Sequence, residues 1–319
     1  MAQDGQHPVA GRRIWIAGHA GMVGSALCRS FAAAGAEILT VTRAALDLRD
    51  ARAVRDWLGR ERPDGIVIAA GRVGGIAENA ARPATMMRDN LAIAENVILG
   101  AHDLGVGRLV YLGASCVYPR DAAQPIAEAS LLTGPLEPTN EGYALAKIAG
   151  MRLCALLQQE HGRAYVSLVP ANLYGPGDRA HADPERAHVV PALIGRMLAA
   201  KAAGAAEVEI WGTGRAVRDF LYVDDAADAI LLAYERFAGP GHLNIGSGDG
   251  ISIADLAAAI ARVTGFTGRL RFDASRPDGM PRKVLDSAGM AALGWTPRTP
   301  LVEGLRLASR DMQPGSPAR

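Results

Sequence analysis

Apolar runs and amphipathic segments alternate along the first half of the chain. Apolar runs predict strands at 14–17, 37–41, 66–70, 109–114 and 164–169. Amphipathic segments predict helices at the end of the stretch 14–27 and at 51–60, 85–103 and 142–160. Because strands and helices take turns in this way, the sequence predicts an α/β fold built on a doubly wound parallel sheet.

From Asn172 onward the predicted elements are shorter, and Pro- and Gly-rich segments separate them. Helices are predicted at 189–200 and 224–236, and strands at 208–211 and 243–245. Ser252 and Asp255 have the spacing of a capping box ahead of another apolar helix. We therefore expect a first domain at 1–172 and a smaller C-terminal α/β lobe at 173–319, folded over the carboxyl edge of the sheet. The segment at about 220–247 is expected to return to the first domain.

Three glycines punctuate the turn between the first predicted strand and its helix. Gly18, Gly21 and Gly24 recur at every third position, in a chain with 37 glycines. At such a turn the missing side chains permit a tight bend, close approach of a pyrophosphate and close packing of helix on strand. The first free N–H groups of the helix and its dipole favour an anion at the same place. The stretch therefore predicts a dinucleotide site in a Rossmann-type domain rather than a purely structural turn.

Charge and composition narrow the range of partners. The formal net charge is +1, which gives no reason to expect nucleic acid or an acidic membrane surface as a partner. The N-terminal stretch is polar and no apolar run is long enough to span a bilayer, so a soluble cytoplasmic protein is expected. The three cysteines have no paired spacing, so the sequence predicts neither a disulfide framework nor a metal site.

A tyrosine and a lysine stand four residues apart in the predicted helix at 142–160. Residues at this spacing share a helix face, so the Tyr143 phenol and the Lys147 ammonium can point at one site. With 7 tyrosines in the chain and only three lysines (Lys147, Lys201 and Lys283), such a pair is uncommon by chance. A neighbouring ammonium favours the phenolate, so we expect Lys147 to lower the pKa of Tyr143. Tyr143 then becomes a usable proton donor to a carbonyl that is being reduced by hydride.

The choice of dinucleotide depends on the end of the second predicted strand. A fold that prefers NAD usually places Asp or Glu there, to bind the ribose hydroxyls. This chain has Thr42 and Arg43 instead. Because a cation suits the extra phosphate of NADP, the sequence favours NADP(H); the alternative is that Arg43 is a solvated surface residue.

The glycine turn and the Tyr143–Lys147 pair together resemble the extended short-chain dehydrogenase/reductase family. Further stretches are similar to those of its GDP-L-fucose synthases, at 18–25, 114–119, 137–141, 172–176, 188–193 and 276–283. The resemblance covers about residues 13–312. It implies an NADPH-dependent enzyme that carries out 3,5-epimerisation and 4-reduction of a GDP-sugar, GDP-4-keto-6-deoxy-D-mannose. It also implies a homodimer that pairs through the helices at 85–103 and 142–160.

The resemblance implies a role for each matching residue. Cys116 and His188 are the base and acid that invert two ring carbons, although alone they fit a buried cysteine and a surface histidine. Tyr143 protonates the C4 oxygen, Lys147 also holds the nicotinamide ribose, and Ser115 is a further catalytic candidate. The implied cofactor contacts are Gly18, His19, Ala20, Gly21, Met22, Val23, Gly24, Arg43, Leu112, Gly113, Ala114, Ser115, Tyr143, Lys147, Pro170, Ala171, Asn172, Leu173 and His188. The implied substrate contacts are Arg196, Trp211, Arg218, Asp278 and Lys283.

Two residues depart from the family's pattern. The family's catalytic serine stands two residues before the cysteine, where this chain has Ala114. Losing one hydrogen-bond donor to a reacting oxygen typically costs on the order of 10²–10³ in rate. In an extended strand Ser115 points to the opposite face, so it replaces that donor only if the backbone turns sharply there. Ala20 stands where the family often has an arginine, which leaves the NADP phosphate to Arg43 with less help.

Two other functions stay open. An enzyme with only one of the activities, an epimerase or a C4 reductase, would act on a related GDP-4-keto-6-deoxy hexose or heptose. Ala114 affects reduction more directly than epimerisation, which favours the epimerase. A catalytically silent dinucleotide sensor is weakened by the presence of Tyr143, Lys147, Cys116 and His188 together, since a sensor needs none of them.

Overall fold

Strands and helices alternate through most of residues 7–178, 188–276 and 278–313, which this computed structural model describes. The strands are β1 (Arg13–Ala17), β2 (Glu37–Leu39), β3 (Gly65–Ile68), β4 (Arg108–Leu112), β5 (Ala164–Pro170), β6 (Asn172–Tyr174), β7 (Glu207–Trp211), β8 (Val217–Tyr222), β9 (His242–Ile245), β10 (Gly250–Ser252), β11 (Arg269–Asp273) and β12 (Arg282–Lys283). The helices are α1 (Met22–Ala33), α2 (Ala51–Glu61), α3 (Ile76–Ala81), α4 (Pro83–Asp103), α5 (Glu141–His161), α6 (Val189–Ala202), α7 (Val223–Arg236), α8 (Ile253–Thr264), α9 (Ala288–Ala292) and α10 (Leu301–Asp311). Pro277, inside one of the family-like stretches, lies outside these ranges, as do the outer ends of both predicted domains.

Six parallel strands form the central sheet, in the order β2-β1-β3-β4-β5-β9. The strand order reverses at β1, because Ile14 pairs with Ile38 of β2 on one side and with Gly65 of β3 on the other. In open parallel sheets a ligand binds at the carboxyl ends of the strands, beside such a reversal. The prediction of an α/β fold with a doubly wound parallel sheet is confirmed.

Helices cover both faces of this sheet, and β1 shows why. Trp15 and Ala17 belong to the apolar cluster that α2, α4 and α5 complete on one face. Ile14 and Ile16 belong to the cluster that α1 and α7 complete on the other. Because successive side chains of a strand point to opposite faces, an apolar run without interruption requires a cover on both.

The C-terminal lobe has its own small sheets and core. Strand β8 pairs with β6, β10 and β12, while β7 pairs with β11. A separate apolar cluster forms between these strands and the helices α6, α8 and α10. Ser252 caps α8 as predicted, since its hydroxyl accepts a hydrogen bond from the backbone N–H of Asp255 at 3.0 Å.

The chain returns to the central sheet through α7, which packs on α1, and through β9, which pairs with β5. Residues 220–222 of the segment predicted to return belong instead to β8 in the second sheet. The domain boundary at residue 172 stays a prediction.

Several elements differ from their predicted bounds. Strand β4 ends at Leu112, two residues before the predicted end, because the backbone turns after Ala114 into a 3₁₀ helix at Ser115–Val117. Strand β2 ends at Leu39. The short helix α3 occupies a stretch with no predicted element. Among the described residues, no helix combines the length and apolar character needed to cross a membrane.

A buried arginine joins β4 to the end of α7. Arg108 is 2% exposed, and its guanidinium donates hydrogen bonds to the carbonyl oxygens of Ala233, Tyr234, Phe237 and Ala164. The last carbonyl groups of a helix have no partner within it, and a cation there also suits the helix dipole. Burial lowers the pKa of Arg108 to about 10, so the side chain keeps its charge at neutral pH.

We expect Arg108→Met to lower the free energy of unfolding by about 3 kcal/mol, because it leaves several buried carbonyl groups without a donor. Urea unfolding followed by tryptophan fluorescence measures this change. Arg52→Met is the matched control, since the Arg52 side chain is 92% exposed and should contribute under about 0.5 kcal/mol. Equal unfolding energies for the two variants would contradict the capping role of Arg108.

Candidate active site at the carboxyl edge of the sheet

A cavity of about 850 Å³ follows the carboxyl ends of β1, β3, β4 and β5, and the C-terminal lobe forms its other wall. Every residue that the sequence predicted for the cofactor, the reaction or the substrate lines this cavity. The structure thus brings together positions that are up to 265 residues apart, from Gly18 to Lys283 (283 − 18). Their individual roles stay predictions.

The glycine turn after β1 forms one end of the cavity. Gly18 has a φ of +93°, and a Cβ atom there would lie 2.7 Å from the backbone nitrogen of Ala70. A Cβ on Gly24 would lie 2.0 Å from the Gly18 carbonyl oxygen. A Cβ on Gly21, by contrast, would meet nothing closer than 3.5 Å. Packing of this turn therefore requires Gly18 and Gly24, whereas Gly21 leaves room for a ligand at the start of α1.

A mixed cluster of charges lies on the wall beyond β2. Arg43 is exposed there and has no hydrogen bond or ion pair within the described part of the chain. Arg49 instead binds Asp47, with 2.6 Å between Arg49 Nη2 and Asp47 Oδ2, and this bond lowers the pKa of Asp47 to about 2. Neither Asp47 nor Arg49 was predicted from the sequence as a site residue. Arg43 is the cation of this cluster that is open to a phosphate group.

Tyr143 and Lys147 occupy the first two turns of α5. The Lys147 ammonium donates to the Leu112 carbonyl oxygen at 2.8 Å and lies 5.8 Å from the centre of the Tyr143 ring. Burial lowers the pKa of Lys147 to about 8. Burial also raises the pKa of Tyr143 well above its usual value, and the nearby Cys116 raises it further. The prediction of a lowered Tyr143 pKa is therefore wrong, because desolvation by burial determines the direction of the shift.

Cys116 lies in the 3₁₀ turn that follows β4. Ala114 is still extended, with φ −158° and ψ 149°, and the turn begins at the next residue. The backbone therefore turns sharply at Ser115, which is the condition under which Ser115 could replace the missing donor, and Ser115 and Cys116 both line the cavity. Burial raises the pKa of the Cys116 thiol, while the charges of Lys283 and Lys147 act in the opposite direction.

A buried network holds the far side of this turn. The Tyr118 hydroxyl donates to Asn244 Oδ1 of β9 at 2.5 Å and lies 2.8 Å from His242 Nε2. Asn244 in turn donates through Nδ2 to the carbonyl oxygens of Ile126 and Asp286. Burial lowers the pKa of His242 to about 4, so the ring is neutral at pH 7. The turn that carries Cys116 is thereby fixed to the last strand of the central sheet.

His188 is the N-cap residue of α6 and lines the cavity. At the substrate end, the guanidinium carbons of Arg196 and Arg276 lie 4.9 Å and 4.8 Å from the centre of the Trp211 ring. Arrangements of this kind combine an aromatic surface with cations, which suits a nucleotide.

Two further predicted substrate residues contact each other. Arg218 donates to the Asp278 carbonyl oxygen at 3.1 Å, and burial lowers the pKa of this arginine. Both carboxylate oxygens of Asp278 accept hydrogen bonds from Thr213, at 2.7 Å from its backbone N–H and 2.6 Å from its hydroxyl. Asp278 therefore holds the turn after Trp211 in place. Burial also lowers the pKa of Lys283, on β12.

Several other polar residues that line the cavity were not predicted from the sequence as site residues. They are Glu137, Thr139 and Asn140, which precede Tyr143, and Asn79 of α3. A signal for the first three was present, because they belong to the family-like stretch at 137–141. Asn79 carried no such signal, because single asparagines outside predicted helices and strands are common.

Comparisons with known proteins agree with this geometry. The sequence pattern of the NAD dependent epimerase/dehydratase family matches residues 14–246. A GDP-L-fucose synthase from Sinorhizobium fredii is 48% identical over 295 residues, which cover 92% of this chain and 93% of the relative. The GDP-L-fucose synthase of Escherichia coli K12 is 46% identical over 304 residues, with 92% and 94% covered.

A solved structure extends the likeness to three dimensions. MlghC, a GDP-mannoheptose C4 reductase from Campylobacter jejuni solved with NADP bound, has a TM-score of 0.85 and 31% identity to this chain. The match covers 94% of this chain and 98% of that one. The fold, the glycine turn and the sequence match agree, and the chain belongs to the NAD dependent epimerase/dehydratase family.

Proposed function

We propose that this protein is an NADPH-dependent enzyme that epimerises GDP-4-keto-6-deoxy-D-mannose at C3 and C5 and reduces it at C4, forming GDP-L-fucose. The observation that carries this proposal is the presence of Tyr143, Lys147, Cys116 and His188 on the wall of one cavity. The similarity to GDP-L-fucose synthases over 92% of the chain supports it.

The residues at the glycine turn fit NADP(H). A Cβ would clash at Gly18 and Gly24 but not at Gly21, so the turn leaves open the one position that a pyrophosphate approaches. Arg43 is exposed on the adjoining wall as a partner for the ribose phosphate. NADPH, when bound, supplies the hydride that C4 receives.

Cys116 and His188 account for the epimerisation. The C4 ketone acidifies the hydrogens on C3 and C5, because the electron pair left behind spreads onto the C4 oxygen. The Cys116 thiolate removes the proton from one face of the ring, and His188 returns a proton to the other. The thiol needs the charges of Lys283 and Lys147 for this task, since burial alone raises its pKa.

Tyr143 accounts for the reduction. Burial keeps the phenol protonated at neutral pH, so it can donate its proton to the C4 oxygen as C4 gains hydride. The buried Lys147 ammonium stabilises the phenolate that is left. Arg218, Lys283 and Arg196 hold the diphosphate of GDP, with Trp211 as the aromatic surface beside it.

A second candidate function follows from Ala114. Its methyl group lies on the cavity wall and donates no hydrogen bond to the C4 oxygen. An enzyme that mainly epimerises, or a C4 reductase of a related GDP-4-keto-6-deoxy hexose or heptose, fits such a site as well. The fold likeness to a GDP-mannoheptose C4 reductase supports this alternative.

We also propose a homodimer that pairs through α4 and α5. These helices pack against each other, and α5 exposes Leu145 by 37% and Leu156 by 47%. The two leucines lie about three helical turns apart, so they share one face. A cytoplasmic location is consistent with the free thiols of Cys28, Cys116 and Cys154.

Incubation with GDP-4-keto-6-deoxy-D-mannose in heavy water, with and without NADPH, tests the function. We expect deuterium at C3 and C5 without NADPH, and deuterated GDP-L-fucose with it.

Because the pKa of the Cys116 thiol is raised, the exchange rate should increase with pH above neutral. Cys116→Ser should suppress exchange and leave NADPH affinity unchanged. Exchange at the wild-type rate in this variant would exclude Cys116 as the base, and no exchange or reduction by the wild type would exclude the proposed substrate.

The missing hydroxyl gives a separate prediction. Ala114→Ser should raise the rate of reduction, by up to the roughly 10²-fold that one oxyanion donor contributes. Exchange at C3 and C5 should increase less. Single-turnover oxidation of NADPH measures the effect, with Ser115→Ala as the comparison. No gain in Ala114→Ser, together with a collapse in Ser115→Ala, would show that Ser115 already supplies the donor.

The role of Arg43 predicts the cofactor preference. Arg43→Asp should weaken NADPH binding far more than NADH binding, because it puts a negative charge where the ribose phosphate binds. Fluorescence titration with both cofactors measures the two dissociation constants. Equal losses for the two cofactors would remove Arg43 from the phosphate site.

A further inference from the structure

A pair of asparagine side chains bridges two segments of the cavity wall. Asn79 Nδ2, on α3, donates a hydrogen bond of 2.6 Å to Asn140 Oδ1, just before α5. Asn79 is 7% exposed, and its Oδ1 atom is buried without a hydrogen-bond donor among the described residues. Buried amide oxygens in folded proteins nearly always have a partner. The pair is thus half satisfied in the protein alone.

Asn140 is diverted from its usual local role. It is the N-cap residue of α5, where asparagine normally accepts a hydrogen bond from the first turn of its helix. In this structure its side chain makes no such bond. Its oxygen is occupied by Asn79, so the orientation of the amide is fixed, and its NH₂ group makes no hydrogen bond within the described residues. The Asn140 side chain is therefore committed to Asn79 and not to the first turn of its helix.

The location of the pair indicates what it binds. Asn79 and Asn140 line the same cavity as Cys116 and Tyr143, and Asn140 stands three residues before Tyr143. Asn140 Nδ2 is the unused donor of the pair and belongs to a half-buried residue, whereas Asn79 Oδ1 has almost no exposed surface. The amide of Asn140 can therefore donate to an oxygen of a ligand in the cavity, while Asn79 holds that amide in its orientation.

We propose that Asn140 binds the hexose, with Asn140 Nδ2 donating a hydrogen bond to a hydroxyl oxygen of the ring, and that Asn79 is the positioning residue that fixes the Asn140 amide. This inference rests on the proposed function, because it assigns a binding contact to the hexose of the GDP-sugar. The pair contributes to binding of the hexose and not to binding of the nucleotide.

Comparing GDP with GDP-L-fucose isolates the hexose contact. Calorimetric titration of wild type, Asn79→Leu and Asn140→Ala with each ligand gives the two dissociation constants. We expect both variants to bind GDP-L-fucose about 10-fold more weakly, and GDP and NADPH within about twofold of wild type. The double variant should lose no more than the larger single loss, because Asn79 acts through the Asn140 amide.

Asn96→Leu is the matched control. The Asn96 amide donates to the Leu48 carbonyl oxygen at 2.9 Å and does not line the cavity, so its loss should leave both ligands unaffected. Unaltered GDP-L-fucose binding in both pair variants, or equal losses for GDP and GDP-L-fucose, would overturn the inference. If Asn79→Leu does not fold, Asn140→Ala alone decides.

The two proposals fail in different ways. Wild-type enzyme that produces GDP-L-fucose while the pair variants bind it normally overturns only the asparagine contact. Wild-type enzyme that binds GDP and GDP-L-fucose equally, and forms no GDP-L-fucose, overturns the proposed function and the hexose contact with it.

Discussion

The site depends on a backbone contact at Gly18, where the ends of β1 and β3 and the start of α1 meet. No Cβ fits at Gly18 or at Gly24, so the three segments lie as close as main chains permit. This contact fixes the helix N-terminus at the reversal point of the sheet. The parallel register then brings the ends of β4 and β5 to the same edge, and with them the residues that face the substrate.

Burial is the second constraint, because it destabilises the charged forms of the titratable side chains in the site. Tyr143 and Cys116 have raised pKa values and Lys147 and Lys283 have lowered ones, in each case mainly because of desolvation. A thiolate and an ammonium in such a place stabilise each other, so their ionisation is coupled. Neutral Tyr143 suits a proton donor, whereas Cys116 acts as a base only beside cations. Burial therefore keeps Tyr143 in its acid form, and the charges of Lys283 and Lys147 favour the thiolate form of Cys116.

Much of this arrangement could be predicted from the sequence, because it follows from local patterns. Apolar runs located the central strands, the spacing of Gly18 and Gly24 located the turn, and Ser252 located a helix start. These signals need only a few neighbouring residues. The family-like stretches then supplied the residues that line the cavity, although their roles are proposals.

The remainder depends on contacts between distant segments. The bend at Ser115 is a 3₁₀ turn held by Tyr118 and Asn244, which are 126 residues apart. The pKa of Tyr143 depends mainly on burial by other parts of the chain, and the sequence pattern of its own helix gives no information about that burial. Asp278 lines the cavity, and both of its carboxylate oxygens also accept hydrogen bonds from Thr213, 65 residues earlier in the chain. Such partners become visible only when the tertiary structure is known.

The bonds of Arg108 have a consequence for the order in which the chain folds. This arginine is synthesised with β4, yet three of its four acceptors belong to residues 233–237. If β4 were buried before those residues leave the ribosome, the Arg108 guanidinium would lose water without gaining these carbonyl partners, and β5 would lack its neighbour β9. The central sheet is therefore complete only when the residues that follow the inserted lobe are in place. The first 172 residues alone do not contain the groups that satisfy their own core.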